Sequence, residues 1–344
     1  MYPLFMRTAV ALLSLALVHA QDLVSKADAI AKQNDFMGSV LAARGGNVVL
    51  KKGYGMANIE LDVPNAPDTK FRLGSITKQF TATAILQLAA QGKLSVDDKI
   101  SKYVADSPAA WQDITIHHLL THTSGIPNFT GFPDYQKTMR QTVTPVELVA
   151  RFKDRPLDFP PGSKFKYSNS GYEVLGVIVE KVSGEKYEDY LKKHVFDPLD
   201  MQATGYDHDT AILKRRASGY ERGKDGKIRN AEYIDMSIPY SAGSLYSTVE
   251  DLYRWDRALY TDKVLTQQWR DKMFTPFLDN YAYGWFVKGA GADKTISHNG
   301  GVNGFVTSIN RYPAQDSCVI VLSNGPGPAL LAMVSGLNEA LLSK

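Results

Sequence analysis

Three serines in this 344-residue chain stand three positions ahead of a lysine: Ser75 before Lys78, Ser163 before Lys166 and Ser183 before Lys186. A serine hydroxyl is a poor nucleophile until a neighbouring base takes its proton, and a partly desolvated lysine can be, or help make, that base. The spacing alone does not choose among them. Ser163 follows Pro160-Pro161-Gly162 in a loop and Ser183 stands at a Ser-Gly helix end, so neither pair is held on one rigid face. Ser75 follows Gly74 and opens a run of apolar residues at helical spacing, which puts Ser75 and Lys78 one turn apart on the same side. A helix-capping serine beside a solvated lysine would show the same pattern.

Two further clusters could join that chemistry. Tyr167-Ser168-Asn169 lies on a loop just before a helix beginning near Gly171, where polar side chains can point into a cleft. A phenol titrates near about 10, too high for a base at neutral pH, but an adjacent ammonium would favour the phenolate and lower that value. A turn with a surface phenol fits equally well. His298-Asn299-Gly300-Gly301 follows one strand pattern and precedes Gly304, the start of another. Glycines there would let a ligand approach a sheet edge closely; a hairpin turn explains them too, without a reason for His298.

These residues need elements to hold them. Ile76, Phe80, Ala84, Ile85 and Leu88 predict a helix from Ile76 to Gln91, stopped by Gly92. Short β patterns lie at both ends of the chain: Ser39 to Ala43 and Asn47 to Lys51 around Arg44-Gly45-Gly46, then Tyr283 to Val287, Lys294 to Ser297, Gly304 to Tyr312 and Asp316 to Ser323. Between them the chain reads as helices, at Val146 to Phe152, Tyr172 to Val182 and Tyr187 to Val195, without strong strand signals. A helix cap at Ser247-Thr248 opens Val249 to Tyr260, and a last helix closes the chain. The economical arrangement is an α+β fold: one central antiparallel sheet, flanked by helices, with an inserted mainly helical lobe and a cleft between. The sheet lobe would hold about 21–93 and 236–344, the helical lobe about 94–235, as a single domain over 21–344.

Composition narrows the partners. At 44% hydrophobic and 22% charged residues the chain can bury a core. Its 39 Lys and Arg against 36 Asp and Glu are scattered, which argues against a nucleic-acid surface. Cys318 is alone, so neither an intramolecular disulfide nor a structural zinc site is expected, and the seven histidines show no metal spacing. Gly300 to Gly304 lacks the lysine and helix of a phosphate loop, and no cofactor is expected. Arg7, the apolar run Ala9 to Val18 and Val18-His19-Ala20 before Gln21 read as an export signal over 1–20. The expectation is a bacterial protein in the periplasm or medium, without a membrane span.

Taken together and in this order, Ser75-Ile76-Thr77-Lys78, Tyr167-Ser168-Asn169 and His298-Asn299-Gly300 resemble the motifs of class C β-lactamases, penicillin-binding DD-peptidases and their esterase and D-aminopeptidase relatives. The resemblance continues through Phe71 to Ser75, Leu119 to Gly125, Ser241 to Leu245 and His298 to Phe305, and covers nearly all the mature chain. It implies a β-lactamase/transpeptidase-like fold in which Ser75 forms an acyl-enzyme, Lys78 relays its proton and Tyr167 is general base and acid. Asn169, His298 and Gly300 would bind substrate, and the backbone N–H groups of Ser75 and Gly301 would form the oxyanion hole. A β-lactamase of this family has lysine where this chain has His298, which is only fractionally charged near neutral pH, so the resemblance points toward the peptidase, D-aminopeptidase and esterase branches. His122 is read as structural. The implied function is an exported serine hydrolase of D-amino-acid peptides or small esters. The alternatives are a β-lactamase or DD-carboxypeptidase, and a non-catalytic ligand-binding homologue. Loops at Asn128 to Tyr135 and Phe277 to Trp285 carry aromatic residues that could wall the cleft or simply pack.

Overall fold

The computed structural model describes residues 21–343; the expected leader over 1–20 lies outside them. Helix α1 spans 21–33, followed by strands β1 (Gly38–Arg44) and β2 (Asn47–Tyr54). Helix α2 (Thr77–Ala90) follows a short 3-10 turn, α3 covers Asn169–Ser183, α4 is the single turn Tyr240–Gly243, and α5 runs Val249–Ala258. Strands β3 (Phe286–Lys288), β4 (Thr295–Val302), β5 (Phe305–Tyr312) and β6 (Ser317–Ser323) lead into the closing helix α6 (Gly327–Leu342).

The six strands form one sheet in the order β3-β4-β5-β6-β1-β2, antiparallel throughout. The two ends of the chain therefore meet in its middle, where β1 pairs with β6. Both faces of β6 are covered, which is why its Ser-Cys-Val-Ile-Val-Leu-Ser sequence is buried at every position rather than alternating. Val319 and Val321 pack with Leu23, Phe36, Leu330 and Leu337 under α1 and α6, while Cys318, Ile320 and Leu322 join the larger core on the opposite face. That core continues into the helical lobe through α2 and α3.

Two sequence expectations need correction. The strand read as ending at Ser297 continues to Val302, so His298 to Gly301 lie inside β4 rather than in a turn; Val302 faces Phe305 across the hairpin. The stretch read as helical, about 94–235, also contains short strands at Gly205–Tyr206, Tyr220–Arg222 and Ile228–Asn230. Phe71–Arg72, Leu245–Ser247 and Gly205–Tyr206 form a small ribbon, and Tyr220–Arg222 pairs with Ile228–Asn230. Strands of two or three residues are too brief to carry a readable period.

The sheet is tied to α5 by a buried ionic cluster. Arg311 Nε donates to Asp256 Oδ1 at 2.6 Å and its NH2 group to the Asp256 carbonyl at 3.3 Å, while Arg257 holds the second carboxylate oxygen at 2.6 Å. Asp256 is fully buried and Arg311 nearly so. Removing one member would leave the other charge uncompensated in the core. Asp256→Ala is expected to lower unfolding free energy by about 3–5 kcal/mol, read from urea denaturation against wild type.

Candidate active site

Ser75 sits in the 3-10 turn Gly74–Ile76 that runs directly into α2. Gly74 has φ +54°, and a Cβ there would come within 2.6 Å of the Gly301 backbone nitrogen in β4. Only glycine lets the turn and the strand approach so closely. Leu73, one residue earlier, is fixed on both sides: its N–H donates to the Leu245 carbonyl and its own carbonyl accepts from the Thr307 hydroxyl, each at 2.7 Å. Arg72 adds a charged anchor, with Nε donating to the buried Asp207 carboxylate at 2.6 Å.

Unlike an amphipathic surface helix, α2 is buried on nearly every side, and Lys78 has no exposed surface. Its Nζ lies 3.0 Å from Ser75 Oγ, 2.8 Å from Asn169 Oδ1 and 2.9 Å from the Ala242 carbonyl of α4. The last two can only accept. A neutral amine must therefore spend its two N–H groups on them, which leaves its lone pair for the Ser75 hydroxyl proton. Burial pulls the Lys78 pKa down to about 7, against the opposing field of Glu173. An amine in that range is a proton acceptor at neutral pH.

Asn169 opens α3, two residues earlier than expected from the sequence, and Tyr167 lies just ahead of that helix. The Tyr167 ring centroid is 4.9 Å from Lys78 Nζ, so the amine faces the ring. Its hydroxyl is buried and has no hydrogen-bond partner of good geometry among the described residues. Burial pushes this phenol well above its usual pKa, and the nearby Ser75 hydroxyl pulls the other way without reversing it. Desolvation thus outweighs the lowering that a neighbouring ammonium would give, and the phenol form is favoured. His122 stands behind the loop. Its carbonyl accepts from the Lys166 N–H at 3.0 Å, its Nδ1 accepts from the Ser168 N–H at 3.2 Å, and its ring lies 4.1 Å from that of Tyr167.

A pocket of about 170 Å³ opens beside Ser75, lined by Asn169, Gly301, Ala242 and Gly243 together with Phe129, Thr130, Tyr135 and Glu173. The structure thus brings Ser75, Lys78, Tyr167, Asn169 and Gly301 together. His298 and Gly300 are placed differently from expectation. The His298 Nδ1–H donates to the Asn299 carbonyl at 2.6 Å, so Nε2 accepts from the Tyr281 hydroxyl at 3.0 Å. Burial and the field of Lys78 hold its pKa down at about 3, and the neutral ring supports the wall instead of lining the pocket. Gly300 is a spacer: a Cβ there would come 1.9 Å from the Leu73 carbonyl. Glu173, Thr130 and the Ala242 carbonyl were missed. Glu173 is four residues after Asn169 and so shares its helix face, a signal available in the sequence; the Ala242 carbonyl has none. Of the two aromatic loops, Phe129 and Tyr135 wall the pocket, whereas Tyr281 packs behind it.

The description Beta-lactamase matches residues 27–341 of this chain. The candidate penicillin-binding protein PbpX of Bacillus subtilis (strain 168) is 34% identical over 315 residues, 91% of this chain and 77% of that one. Two solved structures superpose closely. The penicillin binding protein from Bacillus halodurans has a TM-score of 0.83 at 29% identity, covering 91% of this chain and 99% of its own. The D-amino acid amidase from Ochrobactrum anthropi SV3 has a TM-score of 0.80 at 25% identity, covering 93% and 98%.

Two outcomes follow from the geometry. Turnover should rise with pH through a midpoint near 7 as Lys78 loses its proton, and Lys78→Met should remove both that limb and most of the rate, read as kcat/KM against pH. Gly74→Ala should reduce kcat by about 100-fold, because the added methyl group displaces Gly301 from Ser75; circular dichroism checks that the fold is retained.

Proposed function

The chain belongs to the beta-lactamase family and is a serine hydrolase of that fold, and from this premise we propose that it cleaves an amide or ester through an acyl group carried on Ser75. Its substrates are D-amino-acid peptides or amides and small esters. The observation that carries this reading is the placement of a buried, readily neutral Lys78 amine 3.0 Å from Ser75 Oγ, with its other two contacts restricted to acceptors.

The steps follow from those contacts. Lys78 Nζ takes the Ser75 proton as Oγ attacks the substrate carbonyl carbon. The developing oxyanion sits between the backbone N–H groups of Ser75 and Gly301, which border the same pocket. Tyr167, a neutral phenol, gives its proton to the departing amine or alkoxide and recovers one from Lys78. Water then attacks the acyl carbonyl and gives a proton to Lys78, and as the bond to Ser75 Oγ breaks that proton returns to Oγ and the acid is released. Asn169, its Oδ1 held by Lys78, presents its amide NH₂ toward Thr130 and the substrate.

The pocket wall favours acyl groups without a carboxylate. Its lining side chains include no lysine or arginine, and His298 is neutral and turned to Tyr281. A penicillin carboxylate would find no fixed cation there. Export to the periplasm or medium belongs to the same proposal, supported by the leader-like pattern of residues 1–20.

The test is to incubate the protein and Ser75→Ala with D-phenylalanine amide, p-nitrophenyl acetate and benzylpenicillin, following product release and intact mass. Turnover of the amide or ester that Ser75→Ala loses, with little loss of penicillin, is the expected result. Catalytic penicillin destruction would move the assignment to a β-lactamase, and a lasting Ser75 penicilloyl adduct to a carboxypeptidase. Activity retained by folded Ser75→Ala would overturn the mechanism.

A further inference from the structure

Glu173 has no exposed surface, and its Oε1 has no hydrogen-bond partner among the described residues. Oε2 has one long side-chain contact, 3.5 Å from Ser241 Oγ, whose hydroxyl gives its proton to the better-placed Tyr172 carbonyl at 2.9 Å; the nearby backbone N–H groups of Ala242 and Ser241 ease its ionisation without offsetting burial. A buried carboxylate ordinarily collects several donors. This one stands instead beside the two groups that hold Lys78: Asn169 is one helical turn before it, and Ala242 follows Ser241.

Lys78 has the complementary deficiency. All three of its contacts are to uncharged atoms, so the ammonium formed when Ser75 gives up its proton has no counter-ion in contact. The titratable groups around Lys78 are Tyr167, Tyr172, His122 and His298; those around Glu173 are Tyr135, Tyr187 and Tyr206. Burial keeps each of these tyrosines a phenol and each of these histidines neutral. Glu173 is the acid that remains.

We infer that Glu173 is the charge-setting partner of Lys78: a positioning residue that ionises only against the protonated amine and so makes the buried base stronger than burial alone would leave it. The two groups then titrate as a linked pair. The directions agree, since Glu173 raises the proton affinity of Lys78 while Lys78 eases the ionisation of a carboxyl that burial otherwise keeps protonated. No substrate contact is required of Glu173, which separates this role from that of Asn169. The inference deepens the hydrolase reading and rests on it for its kinetic consequence, though not for the charge coupling.

The experiment compares wild type with Glu173→Gln, which keeps shape and removes the ionisable group. The ¹³Cε signal of Lys78 is followed by NMR against pH, alongside kcat and KM for p-nitrophenyl acetate. The Lys78 midpoint should fall by at least one pH unit in the variant, carrying the acid limb of the rate profile with it, while kcat drops by about fivefold or more and KM stays within twofold. A midpoint unmoved within 0.3 unit overturns the inference. If the variant does not fold, the ¹³Cδ carboxyl signal of Glu173 in wild type decides: it must respond at the Lys78 midpoint, and a carboxyl blind to that step overturns the pairing. A shifted midpoint in a protein that turns over neither ester nor amide would uphold the coupling and sink the hydrolase reading instead.

Discussion

Everything in this molecule that bears on chemistry depends on taking the Lys78 amine out of water. An exposed lysine three residues from a serine is a cation and cannot accept a proton; the same lysine with no exposed surface has an affinity near neutrality and can. Burial alone would leave it free to rotate or to stay unpaired. Asn169 Oδ1 and the Ala242 carbonyl remove that freedom, and because both oxygens only accept, they determine which way the lone pair points.

The larger architecture makes that burial possible. α2 is packed between the sheet lobe and α3, so the helix that bears Lys78 is a core helix with several polar side chains bonded internally: Thr81 donates to the Ser241 carbonyl at 2.6 Å, and Gln79 Oε1 accepts from Trp255 at 2.9 Å. The sheet contributes close approach. Glycines at 74 and 300 let the turn bearing Ser75 lie directly on β4, and a side chain at either position would meet backbone. The same desolvation that tunes Lys78 acts on its neighbours in opposite senses, keeping Tyr167 a phenol and His298 a neutral ring. One physical cause thus favours the uncharged form of all three groups within a few ångströms.

The residues whose surroundings the sequence did not reveal share a feature. Tyr167 was expected to act as general base and acid and His298 to help bind substrate, because both are chemically able to do so. Their burial and partners, Lys78 against the face of one ring and Tyr281 against the edge of the other, come from segments more than 15 residues away in the chain. Gly300 was correctly singled out as a position where something approaches closely, but the neighbour is the Leu73 carbonyl. Glu173 was overlooked although its spacing from Asn169 puts both on one helix face, since an acid in a helix ordinarily reads as solvated surface.

By itself the sequence determined the class of fold, the terminal strands joining into one sheet, the helix that begins beside Ser75, and the choice of Ser75 with Lys78 over two other pairs of equal spacing. These are local properties: side-chain period, glycine before a helix, loop residues around a competing serine. Only the tertiary structure decided protonation states, the direction of the Lys78 lone pair, which glycines separate backbones and which face the pocket, and where β4 ends. Those depend on dielectric surroundings and on partners distant in the chain, and a pKa is a property of a place in the fold rather than of a residue type.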